Sequence, residues 1–258
     1  MESPKTGGSE TAVLLQGETM SKHIVVFGYD FPHEKTSRGL LALKQAGYDC
    51  LVLAAPHEKL SIRDAGRSWG MKGLKPHHPQ QIANICEFQY HVINHKKAEA
   101  IKWALLTLLG YIPSTAVILG ARIIPEDVIG IFRKGIINAH PAKLPQCRGL
   151  IAPKLAVLKN IPPLITYHLI DKHIDKGKFL YYQRVPIYKA DTQQEFKLRS
   201  LHYQVEGMPY AIELLSKTSA EHLPKLGGDE YPNKGITPED DKLVDKTWTS
   251  YCNEFSED

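Results

Sequence analysis

The sequence predicts an α/β protein: a doubly wound, mostly parallel sheet with a small C-terminal extension. Three observations predict it. Short continuous apolar runs, IVVFG at 24–28, CLVLAAP at 50–56 and AVILG at 116–120, have the character of strands buried on both faces. Segments with a helical repeat of apolar residues alternate with them, the order a βαβ arrangement requires. In GIINAH at 135–140, Ile136, Asn138 and His140 share one parity and so one strand face. Pro141 lacks a ladder donor and ends that strand. An amide and an imidazole therefore stand side by side at a strand end, where open α/β sheets carry their chemistry.

Residues 1–22 lack a basic stretch followed by an apolar one, so they read as a flexible leader rather than a signal peptide. From His23 the order is strand, polar loop (YDFPHEKTSRG), a helix from Leu40 to Gly47, and the second strand, a complete βαβ unit. The loop after the first strand has neither GxGxxG nor GxxxxGK[ST], which excludes a dinucleotide fingerprint and a P-loop. Residues 58–89 carry a mixed helical pattern with polar breaks around 72–79, and HVIN at 91–94 reads as a short strand. AEAIKWALLTLLG comes next as a helix. Residues 103–121 hold no charge and nearly match a bilayer in length, but Gly110, Pro113, Ser114 and Thr115 interrupt them, so helix–turn–strand is preferred to a membrane span.

ARIIPEDVIGIF leads into a short helix with Pro125 in its first turn and Glu126 and Asp127 near its positive end. After Gly149, IAPKLAVLKN reads as a helix, and PPLITYHLID and KFLYYQRVPIY as two extended segments around a turn at Asp175–Gly177. Thr192 and Glu195 form a capping box that opens a helix of about two dozen residues ending near Leu215. The residues beyond Leu215 are polar and turn-rich.

Of the 258 residues, 43% are hydrophobic and 23% charged, a globular composition with enough apolar surface for one sizeable core. The net charge of +4 is spread along the chain. Nucleic-acid binding needs a concentrated basic patch and is not expected, whereas clefts for small anionic ligands are compatible. Cys50, Cys86, Cys147 and Cys252 have neither metal-site spacing nor the density of a disulfide scaffold. They read as reduced thiols of a cytoplasmic protein.

Asn138 offers an amide donor, and His140 an acid or base near neutral pH. No GxSxG elbow is present. The pair suits polarising a carbonyl and stabilising an oxyanion, and such a site needs a carboxylate; Asp175 in HLIDKHIDKG is the best candidate. Taken alone, Asn138 and His140 are more readily read as satisfied polar groups at a strand end, and Asp175 as a turn former. His168, Asp171, His173 and Asp175 raise the question of a metal, but alternation splits them across both strand faces, and none is expected. Cys147 has no local base and reads as a packing residue.

Beyond this, ILGARIIPEDVI, GIINAHPAKLPQCRG and TYHLIDKHIDKGKFLYYQRVPI resemble the formyltransferase family that uses 10-formyltetrahydrofolate. Its N-x-H-P-x-x-L-P-x-x-R-G signature is matched by Asn138, His140, Pro141, Leu144, Pro145, Arg148 and Gly149. Its H-x(6)-D-x-G is matched by His168, Asp175 and Gly177, in the same order along the chain. The resemblance is clear over 116–187 and implies a Rossmann-like formyltransferase fold. It divides the chain into a leader (1–22), a catalytic domain (23–215) and an extension (216–258), partly irregular. Residues 231–248 are similar to a Y-P-R-x-T-P-E-D-x-x-I-D-W hairpin of transfer-RNA and sugar formyltransferases, departing from it at Val244, Asp245 and Lys246.

The resemblance also implies roles. An amine attacks the formyl carbon, Asn138 and His140 stabilise the oxyanion, and Asp175 supports His140 and proton transfer. Arg122, Ile123 and Ile124 form one wall of the folate pocket and Lys172, His173, Ile174 and Gly177 the other. Arg148, Gly149 and His168 lie on the substrate side. YDFPHEK stands where the purine-pathway member has a Gly/Ser-rich phosphate loop, and too few residues follow Leu215 for the barrel of the transfer-RNA enzyme. The regulatory domain of the hydrolytic member has no counterpart. A small amine, an amino-sugar nucleotide in particular, remains by elimination. Formyltetrahydrofolate hydrolysis, a glycinamide ribonucleotide or methionyl-tRNA acceptor, folate binding without turnover, and a homodimer stay open.

Overall fold

The structure, a computed structural model, describes residues 23–57, 76–149, 151–173, 175–228, 235 and 237–257. β1 (His23–Tyr29) and β2 (Asp49–Ala55) are buried along their centres, as continuous apolar runs require. Between them, α1 (Glu34–Gln45) begins at His33, whose ring accepts the Thr36 N–H, and buries Leu40 and Leu43 against the sheet. The mixed pattern expected over 58–89 falls partly on residues 58–75, outside the described set; its remainder yields α2 (Pro79–Ile85). β3 (Gln89–Val92), α3 (Ala98–Leu109) and β4 (Thr115–Ile118) come next.

α3 stops at Gly110, whose φ of +76° is the left-handed conformation a helix end adopts, so the uncharged stretch is helix, turn and strand. Among the described residues, no helix is long and apolar enough to cross a membrane. α4 (Glu126–Ile129) is preceded by Pro125 in the cap position, one residue earlier than expected. β5 (Gly135–His140), α5 (Ala152–Leu158), β6 (Leu164–Leu169) and β7 (Lys178–Arg184) complete the described strands.

The strands form one sheet in the order β3-β2-β1-β4-β5-β6-β7. β1 to β5 run parallel, while β6 lies antiparallel to β5 and β7 to β6. The mostly parallel, doubly wound sheet is the one expected. Ile136 packs into the core on one face with Val25, Phe27 and Phe132, and Ile137 and Ala139 into the core on the other. Asn138 and His140 therefore share the Ile136 face, as their parity predicts.

Two expectations need correction. The single helix expected from Thr192 to Leu215 is two, α6 (Gln193–Glu206) and α7 (Met208–Lys217), although its Thr192–Glu195 capping box is present. Pro209 cannot donate into the helix, and a Cβ at Gly207 would strike the Tyr167 hydroxyl and the Gln183 amide. The hydroxyls of Tyr167 and Tyr181 donate to Tyr203 O and Gly207 O, at 2.7 Å each, and fasten the break.

The hairpin likeness over 231–248 also fails where it can be followed, because residues 238–255 form α8 (Pro238–Phe255), opened by a Thr237–Asp240 capping box. Val244, Trp248, Tyr251 and Cys252 recur at helical spacing and are buried in the larger core. Trp248 donates to Asp191 O at 2.6 Å, and the Tyr251 hydroxyl to Ile161 O at 2.8 Å. The C-terminal helix is thus packed on the sheet domain.

Candidate functional site

β4 pairs with β5 only as far as Ile118 and Asn138. The next two N–H groups, of Leu119 and Gly120, both turn to Phe27 O on β1 at 3.0 Å. A crevice therefore opens beside the last residues of β5, next to the β1–β4 boundary where the winding reverses.

Asn138 lies opposite His168 of β6 in the antiparallel register, and its Nδ2 donates to His168 Nε2 at 3.3 Å. His168 is fully buried, and its Nδ1–H donates to Leu169 O at 3.1 Å, which leaves the Nε2 lone pair for the amide. Burial holds this imidazole below its ordinary pKa and keeps it neutral. The amide of Asn138 is thereby fixed, with its second N–H unspent among the described residues.

His140 is buried and donates from Nε2 to Cys147 O at 2.7 Å, so the turn after β5 locks the ring. Its Nδ1 faces Asp175 Oδ1 at 3.5 Å. Asp175 sits in the β6–β7 turn with φ +55°. Its Oδ2 accepts the Gly149 N–H at 3.1 Å, and its backbone oxygen accepts from Arg148 Nε at 3.1 Å. His168 Nε2 lies 4.0 Å from the same carboxylate. Asn138, His140, Asp175 and His168, drawn from separate stretches of the chain, thus meet in one place.

Of the residues expected on the substrate side, two are buried and one is tied to the Asp175 turn. Arg148 is 1% exposed, and its guanidinium donates to the carbonyls of Asp175, Gly227 and Gly228, the last two at 2.5 and 2.9 Å. Gly149 spends its N–H on Asp175, and His168 lies buried behind Asn138.

The two expected folate walls differ in character. Ile123 is 68% exposed, whereas Ile124 is buried among Val128 and Phe132. Arg122 and Ile123 line a small cavity with Ala55, Pro56, Asn94, His95 and Lys96. On the other wall, Lys172 lies 3.4 Å from Glu126, and the His173 N–H donates to Asp171 Oδ1 at 2.9 Å. Ile174 lies outside the described residues. Gly177 is a close-approach residue: a Cβ there would strike Leu169 O, and its own oxygen accepts the Leu226 N–H at 2.8 Å.

Two residues at the crevice were not singled out from the sequence. His95 is buried against the Phe27 ring and donates from Nε2 to Leu53 O at 2.8 Å; its Nδ1 has no partner. Lys35 donates from Nζ to Ala139 O at 3.1 Å, and burial lowers its pKa to about 8. An isolated histidine after a strand and a lysine in a polar loop carry no pattern that would have marked them. Among the described residues, no three His, Cys, Asp or Glu side chains are grouped to hold a metal.

The arrangement offers an oriented amide N–H, an imidazole held at one nitrogen, and a carboxylate facing the other. It can polarise a carbonyl, carry the charge that develops on its oxygen, and relay a proton.

Residues 94–212 match the family model described as formyl transferase. The methionyl-tRNA formyltransferase of Pelotomaculum thermopropionicum is 30% identical over 196 residues, 74% of this chain and 59% of that protein. The chain therefore spans less than two thirds of that relative's length. The crystal structure of phosphoribosylglycinamide formyltransferase from Anaplasma phagocytophilum matches with a TM-score of 0.55 at 18% identity, covering 81% of this chain and 96% of that one. A sugar 3N-formyl transferase solved in the presence of dTDP and 5-N-formyl-THF matches with a TM-score of 0.52 at 15% identity, over 85% of this chain and 71% of that one. At these identities the two structures establish the shared fold.

Proposed function

Residues 94–212 belong to the formyl transferases, and on that premise we propose that this chain moves a formyl group from 10-formyltetrahydrofolate to the primary amine of a small substrate. The observation that carries the reading is the meeting of Asn138, His140 and Asp175 at the end of β5.

The crevice suits the donor. Ile123 presents exposed apolar surface, and the unpartnered Nδ1 of the buried His95 is an acceptor for a heterocycle N–H. Arg122, Ile123 and the β6–β7 turn would hold it. When bound, the donor supplies a formyl carbon open to attack by an amine. The unspent N–H of Asn138 and a proton on His140 Nδ1 meet the negative charge that develops on the formyl oxygen. Asp175, facing Nδ1, would stabilise the imidazolium, take up the proton that the amine releases and return it to the donor nitrogen as the bond from that nitrogen to the formyl carbon breaks. His168 keeps the Asn138 amide turned outward.

An amino-sugar nucleotide is the acceptor we favour, supported by the YDFPHEK loop in place of a phosphate-binding loop. Four buried cysteines outside any disulfide are consistent with work in a reducing cytoplasm. The test is incubation with 10-formyltetrahydrofolate and a panel of amines: amino-sugar nucleotides, glycinamide ribonucleotide and charged initiator transfer RNA. Amine-dependent release of folate product is expected, falling by roughly 100- to 1,000-fold in Asn138→Ala and His140→Ala. Full activity in both variants overturns the mechanism, and formate release without amine would make the protein a hydrolase.

A further inference from the structure

We propose that Lys35 is a positioning residue of this site, clamping the Ala139–His140 peptide at the point where β4 parts from β5. The inference rests on the reading of Asn138 and His140 as the functional pair, and it starts from the direction of the β5 carbonyls. Ile136 O accepts the Ile170 N–H at 3.0 Å on the β6 side. Carbonyls alternate along a strand, so those of Ile137 and Ala139 point the opposite way, toward β4.

Ladder pairing with β4 ends at Ile118, and Leu119 and Gly120 give their N–H groups to β1. Ala139 O is therefore the first β5 carbonyl that β4 leaves without a strand donor. Lys35, from the first turn of α1, supplies that donor at 3.1 Å. The peptide it grips lies between the two functional side chains, and turning its plane would displace both.

The choice of residue is costly for the fold alone. An ammonium is placed near the positive end of α1, partly out of water, with a carbonyl rather than a carboxylate as its partner. Its lowered pKa is the signature of that cost. The cost falls beside the reacting groups, where a functional site departs from what stability alone favours.

The experiment compares Lys35→Met, which keeps the stem and removes the donors, with Lys35→Arg, which keeps a charged donor. Three quantities are read: amide hydrogen exchange over residues 136–142, the urea midpoint, and kcat with KM for 10-formyltetrahydrofolate. In Lys35→Met, exchange at the end of β5 is expected to rise about tenfold while β1 and β2 are unchanged. kcat should fall by roughly 10- to 100-fold at unchanged KM, with the urea midpoint unchanged or higher. Lys35→Arg should recover part of both losses.

Unchanged exchange at the end of β5, or a kcat within about threefold of the native value, overturns the proposal. So does a fall in midpoint that accounts for the lost activity. Should the native protein transfer no formyl group to any amine, the functional reading fails by itself, and the exchange result alone decides the clamp.

Discussion

The backbone N–H of Gly149 donates to Asp175 Oδ2 at 3.1 Å, while the neighbouring Arg148 donates to the Asp175 backbone oxygen, also at 3.1 Å. Two consecutive residues of the loop after β5 thus hold one aspartate by side chain and main chain together. The consequence is directional. With Oδ2 and the carbonyl tied down, Oδ1 is the atom left facing His140 Nδ1. Asp175 has φ +55°, a conformation that Asp and Asn tolerate better than other side chains.

That geometry separates charge from shape. Asp175→Asn keeps the left-handed backbone and an acceptor for the Gly149 N–H but removes the carboxylate. Unfolding free energy should change by less than about 1 kcal/mol, while kcat falls by roughly 10²- to 10³-fold. Urea denaturation and steady-state kinetics check the two halves. A variant that unfolds at much lower urea would show that the carboxylate is structural.

Arg148 should behave in the opposite way. Arg148→Met leaves the buried carbonyls of Asp175, Gly227 and Gly228 without these donors, and the stability loss should reach about 3 kcal/mol or more. Arg148→Lys retains the charge but has no planar fork to serve three carbonyls, so an intermediate loss is expected. Equilibrium urea unfolding of the two variants gives the comparison. Native stability in Arg148→Met would mean that the guanidinium is not what ties the 227–228 segment to the Asp175 turn.

Much of this was legible in the sequence, and the parts that were not share a cause. Continuous apolar runs marked the buried strands, and parity alone put Asn138 and His140 on one face. The burial of Arg148 depends on carbonyls at 175, 227 and 228, and the role of Lys35 on the place where β4 turns aside. No local pattern encodes either. The break at Gly207 is set by Tyr167 and Tyr181, which arrive from β6 and β7. α8 is different: Val244, Trp248, Tyr251 and Cys252 carried a helical stripe, which the likeness to a hairpin motif obscured.

Acid should weaken the start of α1. His33 caps that helix by accepting the Thr36 N–H at Nδ1, which only a neutral ring can do. Burial, with Lys35 beside it, lowers its pKa from 6.5 to about 4. The unfolded chain then binds the proton more readily than the native one. This contribution is therefore complete above pH 6.5 and is lost as pH falls toward about 4, by an amount on the order of 2 kcal/mol. His33→Asn retains a capping acceptor that does not titrate. Urea midpoints measured between pH 7 and 4 should fall less steeply in that variant, and parallel slopes would sink the assignment.

His168 provides the sharpest test of how Asn138 is held. Its neutral Nε2 accepts from the amide at 3.3 Å, and Nδ1–H is committed to Leu169 O. His168→Met removes the acceptor while filling much of the buried space, so the amide is free to rotate and its second N–H loses its aim. kcat should drop by about tenfold or more with little change in KM for the donor. If His168 acts only through Asn138, the loss must vanish when Asn138 is already gone. The double variant His168→Met, Asn138→Ala should then be no slower than Asn138→Ala alone, a coupling read from a double-mutant cycle. Additive losses would mean that His168 acts on the reaction by a separate route, its position 4.0 Å from Asp175 being the first place to look.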